Sequence, residues 1–85
     1  MKVFFSPHFL KKVERLEKTL QVEVAEKINL FRDEKNHRGL KVYKLHGPLA
    51  TWYGFSVNYK IRIIFDYLGK DGAVLFAIGD HDIYK

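Results

Sequence analysis

The spacing of hydrophobic residues changes once along the chain, near Gly39. Before that point, a short apolar segment (residues 2–5, KVFF) is followed by hydrophobic residues at helical spacing. Ser6 and Pro7 are typical of an N-cap and a first helical position, so a helix begins there. A second helix is predicted over about residues 21–35. Because the junction near residues 18–22 is poorly marked, one bent helix is the alternative.

After Gly39 the pattern is that of strands. Alternating or continuously apolar segments are bounded by turn residues, and LGKDG (68–72) is typical of a hairpin connection. The predicted strands are LKVYKL (40–45), TWYGFSVN (51–58), KIRIIFDY (60–67) and AVLFAIG (73–79). The order β-α-α-β-β-β predicts a single α+β domain over residues 1–85, an antiparallel sheet with two helices packed on one face. The other face is left open to water.

Arg62 is the first candidate for chemistry on that open face. Alternation places Ile61, Ile63 and Phe65 against the helices, together with Tyr59 and Tyr67. Arg62 is therefore expected to project from the middle of a central strand onto the open face. The alternative is a solvated charge, or a partner for Asp66.

Trp52 is predicted to share the open face with Arg62, beside Gly54 and Ser56. Its indole offers a stacking surface for a nucleobase. The other interpretation, and the usual role of a lone tryptophan, is that Trp52 caps the core at the edge of the sheet.

The last eight residues, IGDHDIYK, place His81 between Asp80 and Asp82. The two carboxylates favour the protonated imidazole, which could then donate a proton near neutral pH. Alternatively, His81 is a solvated terminal residue. His81 and Tyr84 lie on opposite faces of a regular strand, so a bend after Gly79 is needed to bring them into one cleft.

The composition narrows the class of partner. Lys and Arg number 15 against 10 Asp and Glu, a formal net charge of +5, which suits a polyanion or an acidic protein. The absence of cysteine excludes disulfides and thiolate metal sites, and no histidine pair has helical zinc-site spacing. We therefore expect no metal and no cofactor. Nothing in the chain reads as a signal peptide or membrane segment, so a cytoplasmic protein is expected.

Several segments together resemble one family. The strand and helices beginning SPHF, the KLHG turn at 44–47, FSVNYKIRIIF at 55–65 and IGDHDIY at 78–84 are similar to the RelE/ParE superfamily of bacterial toxin–antitoxin toxins. The YafQ-like mRNA interferases are the most similar branch. The resemblance implies a RelE-like fold, a cognate antitoxin in a hetero-oligomeric complex, and mRNA on the ribosomal A site as substrate.

The resemblance also implies a mechanism without metal, in which an RNA 2′-OH attacks the adjacent phosphate. Arg62 would stabilise the phosphorane, His81 would protonate the leaving 5′-oxygen, and Tyr84 would stack on or orient a nucleotide. His46 and His37 are both candidates for the general base, and His37 is also expected to contact the RNA. Further cations are expected to position the RNA backbone: Lys41, Lys44, Lys60 and Lys85.

Two other functions remain open. A ParE-like toxin would share the fold but inhibit DNA gyrase, and a degenerate relative would retain only antitoxin binding. Relatives often carry a second basic residue on the strand before the arginine, where this chain has Ser56. That departure predicts a cleft with fewer cations than in many active interferases.

Overall fold

The computed structural model describes residues 1–45, 47 and 51–80. The helices are α1 (Pro7–Glu14) and α2 (Lys18–Phe31), followed by a 3₁₀ turn at Glu34–Asn36. The strands are β1 (Lys2–Phe5), β2 (Tyr43–Lys44), β3 (Tyr53–Ser56), β4 (Arg62–Leu68) and β5 (Gly72–Gly79). This confirms the predicted α+β class. Within the described ranges, no helix has the length and apolar character needed to cross a membrane.

The helical region consists of two helices rather than one bent helix. The Ser6 side chain accepts a hydrogen bond from the N–H of Phe9 at 3.1 Å, and Pro7 occupies the first turn, as the sequence predicts. The second helix both begins and ends earlier than predicted. It stops at Phe31, and Asp33 then accepts from the N–H of Lys35, which favours the 3₁₀ turn over another helical turn.

The sheet is mixed, with strand order β1-β5-β4-β3-β2. The strands β2 to β5 pair antiparallel as predicted, whereas β1 pairs parallel with β5. The helices between β1 and the remaining strands provide the long connection that parallel entry requires. The strand predicted over residues 40–45 shrinks to β2, because Leu40 is buried in the core and Lys41 has a φ of 57°.

One hydrophobic core lies between the helices and one face of the sheet. Phe31 of α2 stacks on Phe55 at a ring-centroid distance of 4.5 Å and meets the edge of Phe65 at 4.7 Å. Ile63 and Phe65 of β4 are buried as predicted. The expectation that Tyr59 points inward is wrong, because β4 begins only at Arg62 and Tyr59 lies in the preceding turn, 86% exposed.

Candidate functional site

A cationic groove of about 300 Å³ lies where α2, the segment after Gly39 and the β3–β4 turn meet. Among the described residues, its polar and aromatic lining consists of Lys27, Lys41, Ser56, Asn58, Tyr59 and Arg62, and Gly39, Leu40 and Val57 add backbone or apolar groups. Three of these side chains are cations, and none is a carboxylate. The groove is therefore suited to an anionic ligand.

Arg62 lies at the end of the sheet, which differs from the expected position in the middle of the open face. It is the first residue of β4, the central strand, and pairs with Ser56 on β3 and Gly79 on β5. Its Nη1 donates to the carbonyl oxygens of Asn58 and, at 3.2 Å, Ile61. The Nε and Nη2 groups make no hydrogen bond to the described residues, so they can contact an anion in the groove.

The β3–β4 turn that holds Arg62 is itself fixed by Asn58. The Asn58 Oδ1 accepts from the N–H groups of Lys60 at 2.8 Å and Ile61 at 2.7 Å. The Nδ2 of Asn58 donates to Glu23 Oε1 on α2 at 2.7 Å. The N–H of Val57 also donates to the carbonyl of Ile61 at 2.9 Å. The turn is thus bonded internally and to the helix, which fixes one wall of the groove.

Lys41 and Lys27 supply the other two cations. Lys41 was predicted from the sequence as a backbone-positioning residue, and the structure brings it into the groove with Arg62. Lys27 was not predicted. It follows Glu23 by one helical turn, and because Glu23 is bonded to Asn58, Lys27 is brought to the β3–β4 turn. The sequence contains no signal for this placement, since helix and turn are brought together only by the tertiary fold.

Trp52 is not brought together with Arg62. The rings of Trp52 and Phe76 meet edge to face, with their centroids 4.8 Å apart. Trp52 precedes Ser56, the strand partner of Arg62, by four residues, which is roughly 13 Å of extended chain. The pairing of β4 with β5 shifts register between Ile64 and Phe65, whose partners are Ala77 and Leu75, so Phe76 has no strand partner. This contact packs Trp52 on a strand residue that is not part of the buried core. Nucleobase stacking and capping of the core both stay predictions for Trp52.

His37 contacts Phe31 at the end of α2 and is not among the described residues that line the groove. Its Nε2 lies 2.7 Å from the carbonyl oxygen of Phe31, and its ring stacks on the Phe31 ring at 4.6 Å. Because a carbonyl oxygen only accepts, Nε2 carries the proton. His37 thus binds the last turn of α2. Lys44 and Lys60 are exposed and also lie outside the groove lining.

Four predicted site residues, His46, His81, Tyr84 and Lys85, lie outside the described residues. The described chain reaches Asp80, directly after Gly79, the strand partner of Arg62. No cluster of histidines and carboxylates suited to a metal ion occurs within residues 1–45, 47 and 51–80.

The arrangement of two helices over this mixed sheet is the fold of solved RelE, YoeB and YafQ toxin structures. This confirms the RelE-like architecture expected from the sequence. No protein-family model and no curated protein matches the chain.

Three solved structures illustrate the similarity. The YoeB–YefM complex from Staphylococcus aureus has a TM-score of 0.73 at 16% identity, over 95% of this chain and 97% of that chain. The archaeal RelE–RelB complex from Pyrococcus horikoshii has a TM-score of 0.72 at 18% identity, covering 93% and 92%. YafQ from E. coli has a TM-score of 0.68 at 13% identity, covering 96% and 94%. At these identities the likeness establishes the fold.

Proposed function

We propose that this chain is the toxin of a type II toxin–antitoxin system, a ribosome-dependent, metal-independent endoribonuclease that cleaves translated mRNA in the ribosomal A site. The observation that carries the proposal is the cationic groove, in which Arg62 is held on a fixed turn with Lys27 and Lys41 beside it. The RelE/ParE toxin fold supports the same function.

In the proposed reaction, the RNA 2′-oxygen bonds to the adjacent phosphorus and the bond from phosphorus to the 5′-oxygen breaks. The products are a 2′,3′-cyclic phosphate and a 5′-hydroxyl. The Nε and Nη2 groups of Arg62 stabilise the negative charge that develops on the phosphorane. A preorganised donor of this kind lowers the barrier by about 3–4 kcal/mol.

His81 is the proposed acid that protonates the leaving 5′-oxygen, a contribution of roughly 10²–10⁴-fold. Gly79 pairs with Arg62, and two residues of chain span at most about 7 Å. The closeness of His81 in sequence to the strand partner of Arg62 supports this assignment. Tyr84 is proposed to orient a nucleotide, and His46 is the proposed base, since His37 is bonded to the end of α2.

Binding of the RNA backbone is assigned to the lysines. Lys27 and Lys41 line the groove and would contact the phosphates nearest to Arg62. Lys44, Lys60 and Lys85 would contact phosphates further along the strand. Contacts of this kind position RNA without reading its sequence, and their strength falls as salt rises.

A cognate antitoxin is the proposed protein partner, in a cytoplasmic hetero-oligomer. The YoeB–YefM and RelE–RelB structures are complexes of this kind of protein with a second chain, which supports the proposal. An acidic antitoxin segment would also be attracted by the groove cations, so antitoxin and RNA would compete for one surface.

The test is induced expression without antitoxin, followed by primer extension on a translated mRNA. Arg62→Ala and His81→Ala are compared with the wild-type chain, and Arg15→Ala is the control, because Arg15 is an exposed arginine at the end of α1. Circular dichroism of each purified variant checks that it is folded. We expect cuts inside the reading frame that persist in Arg15→Ala and vanish in the other two variants.

The other outcomes identify the alternatives. Growth arrest with intact mRNA would point to inhibition of DNA gyrase. No arrest by a folded wild-type chain would point to a domain that has retained antitoxin binding and lost its chemistry. Full cleavage by both Arg62→Ala and His81→Ala would show that the proposed cleft is wrong.

A further inference from the structure

We propose that Tyr59 is a base-stacking residue of the groove, so that one nucleobase of the bound RNA lies on the Tyr59 ring while its neighbouring phosphates contact the groove cations. This inference rests on the proposed function and adds a residue to it. Nothing in the sequence pattern indicates this role, since alternation placed Tyr59 in the core.

The exposure of Tyr59 is the first observation. The residue is 86% exposed, the highest value among the large apolar side chains of residues 1–45, 47 and 51–80. Among the described residues its ring has no hydrogen bond and no aromatic partner. Isolated exposed apolar residues are common on protein surfaces. Tyr59, however, lines the cationic groove, which the exposed Phe4 on β1 does not.

The rigidity of its backbone is the second observation. Tyr59 lies between Asn58, which is bonded to α2, and Lys60, whose N–H donates to the Asn58 side chain. The backbone carbonyl oxygen of Asn58, which precedes Tyr59, accepts a hydrogen bond from Arg62 Nη1. The backbone that carries the ring therefore loses little conformational freedom when a ligand binds, which favours affinity.

The combination of groups is the third observation and identifies the class of ligand. Lys27, Lys41 and Arg62 provide charge for phosphates, and Tyr59 provides one flat apolar surface at their edge. Single-stranded nucleic acid is bound by this pairing of a cationic track with an aromatic platform. An acidic peptide would satisfy the cations but has no general need for the exposed ring.

The experiment is a binding cycle between the ring and individual bases. The probe is a short single-stranded RNA, 2′-O-methylated so that it cannot be cleaved, and a set of copies each lacking one base. Affinities are measured by fluorescence anisotropy for the full chain and for Tyr59→Ala, Tyr59→Phe and Phe4→Ala. Phe4→Ala is the matched control, because it removes an exposed ring on the distant edge strand β1.

At one position, we expect loss of the base to weaken binding to the wild-type chain by about 5- to 100-fold, the range measured for one stacked base. The same base loss should have no effect on Tyr59→Ala, because the partner ring is already absent. Tyr59→Phe should behave like the wild type, since it keeps the ring. Phe4→Ala should also behave like the wild type.

One outcome would overturn this inference and leave the proposed function intact. In it, RNA binding depends on Lys41 and on salt, but the loss of no base is coupled to Tyr59→Ala. Binding of an acidic peptide with no measurable RNA binding would overturn both. The two failures are therefore distinguishable.

Discussion

Asn58→Ala is expected to destabilise the fold far more than a surface substitution. The Asn58 side chain accepts two backbone N–H groups of its own turn and donates to the carboxylate of Glu23 on α2. Alanine removes all three hydrogen bonds. Lys60 is exposed, so its N–H can form a hydrogen bond to water instead. The N–H of Ile61 and the carboxylate of Glu23 belong to half-buried residues, so water replaces their lost hydrogen bonds less well.

The magnitude follows from these contacts. A neutral hydrogen bond contributes about 0.5–1.5 kcal/mol net and one to a charged group about 1.5–3 kcal/mol. Because the bonds are partly exposed and share one side chain, we expect a total loss of about 2–3 kcal/mol rather than the full sum. For a domain of this size, that loss lowers Tm by roughly 10–20 °C.

The assay is urea unfolding followed by tryptophan fluorescence, since Trp52 is the only tryptophan in the sequence. A pair of substitutions at residues 58 and 23 controls for the loss of the Asn58 side-chain amide. Asn58→Asp alone keeps both acceptors but sets a carboxylate against Glu23, so it should be destabilised. Adding Glu23→Gln restores a donor and acceptor pair and should recover most of the loss. A change below about 0.5 kcal/mol in Asn58→Ala, the level of ordinary surface substitutions, would refute the assigned role of this turn.

Two further predictions concern a groove lysine and a tyrosine on β4. Lys41→Gly should stabilise the fold by up to about 1 kcal/mol, because Lys41 has a φ of 57°, which glycine adopts without strain. The same substitution should lower the slope of log binding constant against log salt concentration by the contribution of about one phosphate contact. An unchanged slope would show that Lys41 does not contact the RNA. Burial raises the pKa of Tyr67 above 10.0, with smaller contributions from the negative charges of Tyr53 and Glu34. As pH rises, the Tyr67 hydroxyl therefore loses its proton in the unfolded chain before it does so in the folded chain. The free energy of unfolding falls as pH rises past 10.0 and through the pKa of Tyr67 in the folded chain. Tyr67→Phe should lose less stability than the wild type between about pH 8 and pH 10.5 in urea titrations, and equal losses would contradict the assignment.

Local signals in the sequence were sufficient for much of the fold. The Ser6 and Pro7 helix start depends on bonds within one turn, and the LGKDG hairpin depends on residues that are neighbours in sequence. The strand predicted over residues 40–45 failed for a tertiary reason. Leu40 is drawn into the core and Lys41 takes a left-handed conformation, so regular pairing begins only at Tyr43.

The candidate site was only partly predictable. Arg62 was identified by strand alternation, but alternation could not show that β4 begins at this residue and that its guanidinium turns back onto the preceding turn. Tyr59 was missed as a groove residue because β4 begins only at Arg62, so Tyr59 lies in the turn and not in the strand. Lys27 was missed because its placement depends on the bond between Glu23 and Asn58, which are far apart in sequence. Contacts of that range leave no trace in a single sequence.

The parallel pairing of β1 with β5 has a consequence for biosynthesis. Lys2 is the strand partner of Gly72, so β1 must wait for β5 before it can form these hydrogen bonds. The helix α1 also packs on β5. A nascent chain emerging from the ribosome therefore cannot complete its sheet until β5 has been translated, and pairings between such distant segments form slowly. For a protein whose proposed target is the translating ribosome, this order of assembly delays the appearance of an active fold until β5 has been synthesised.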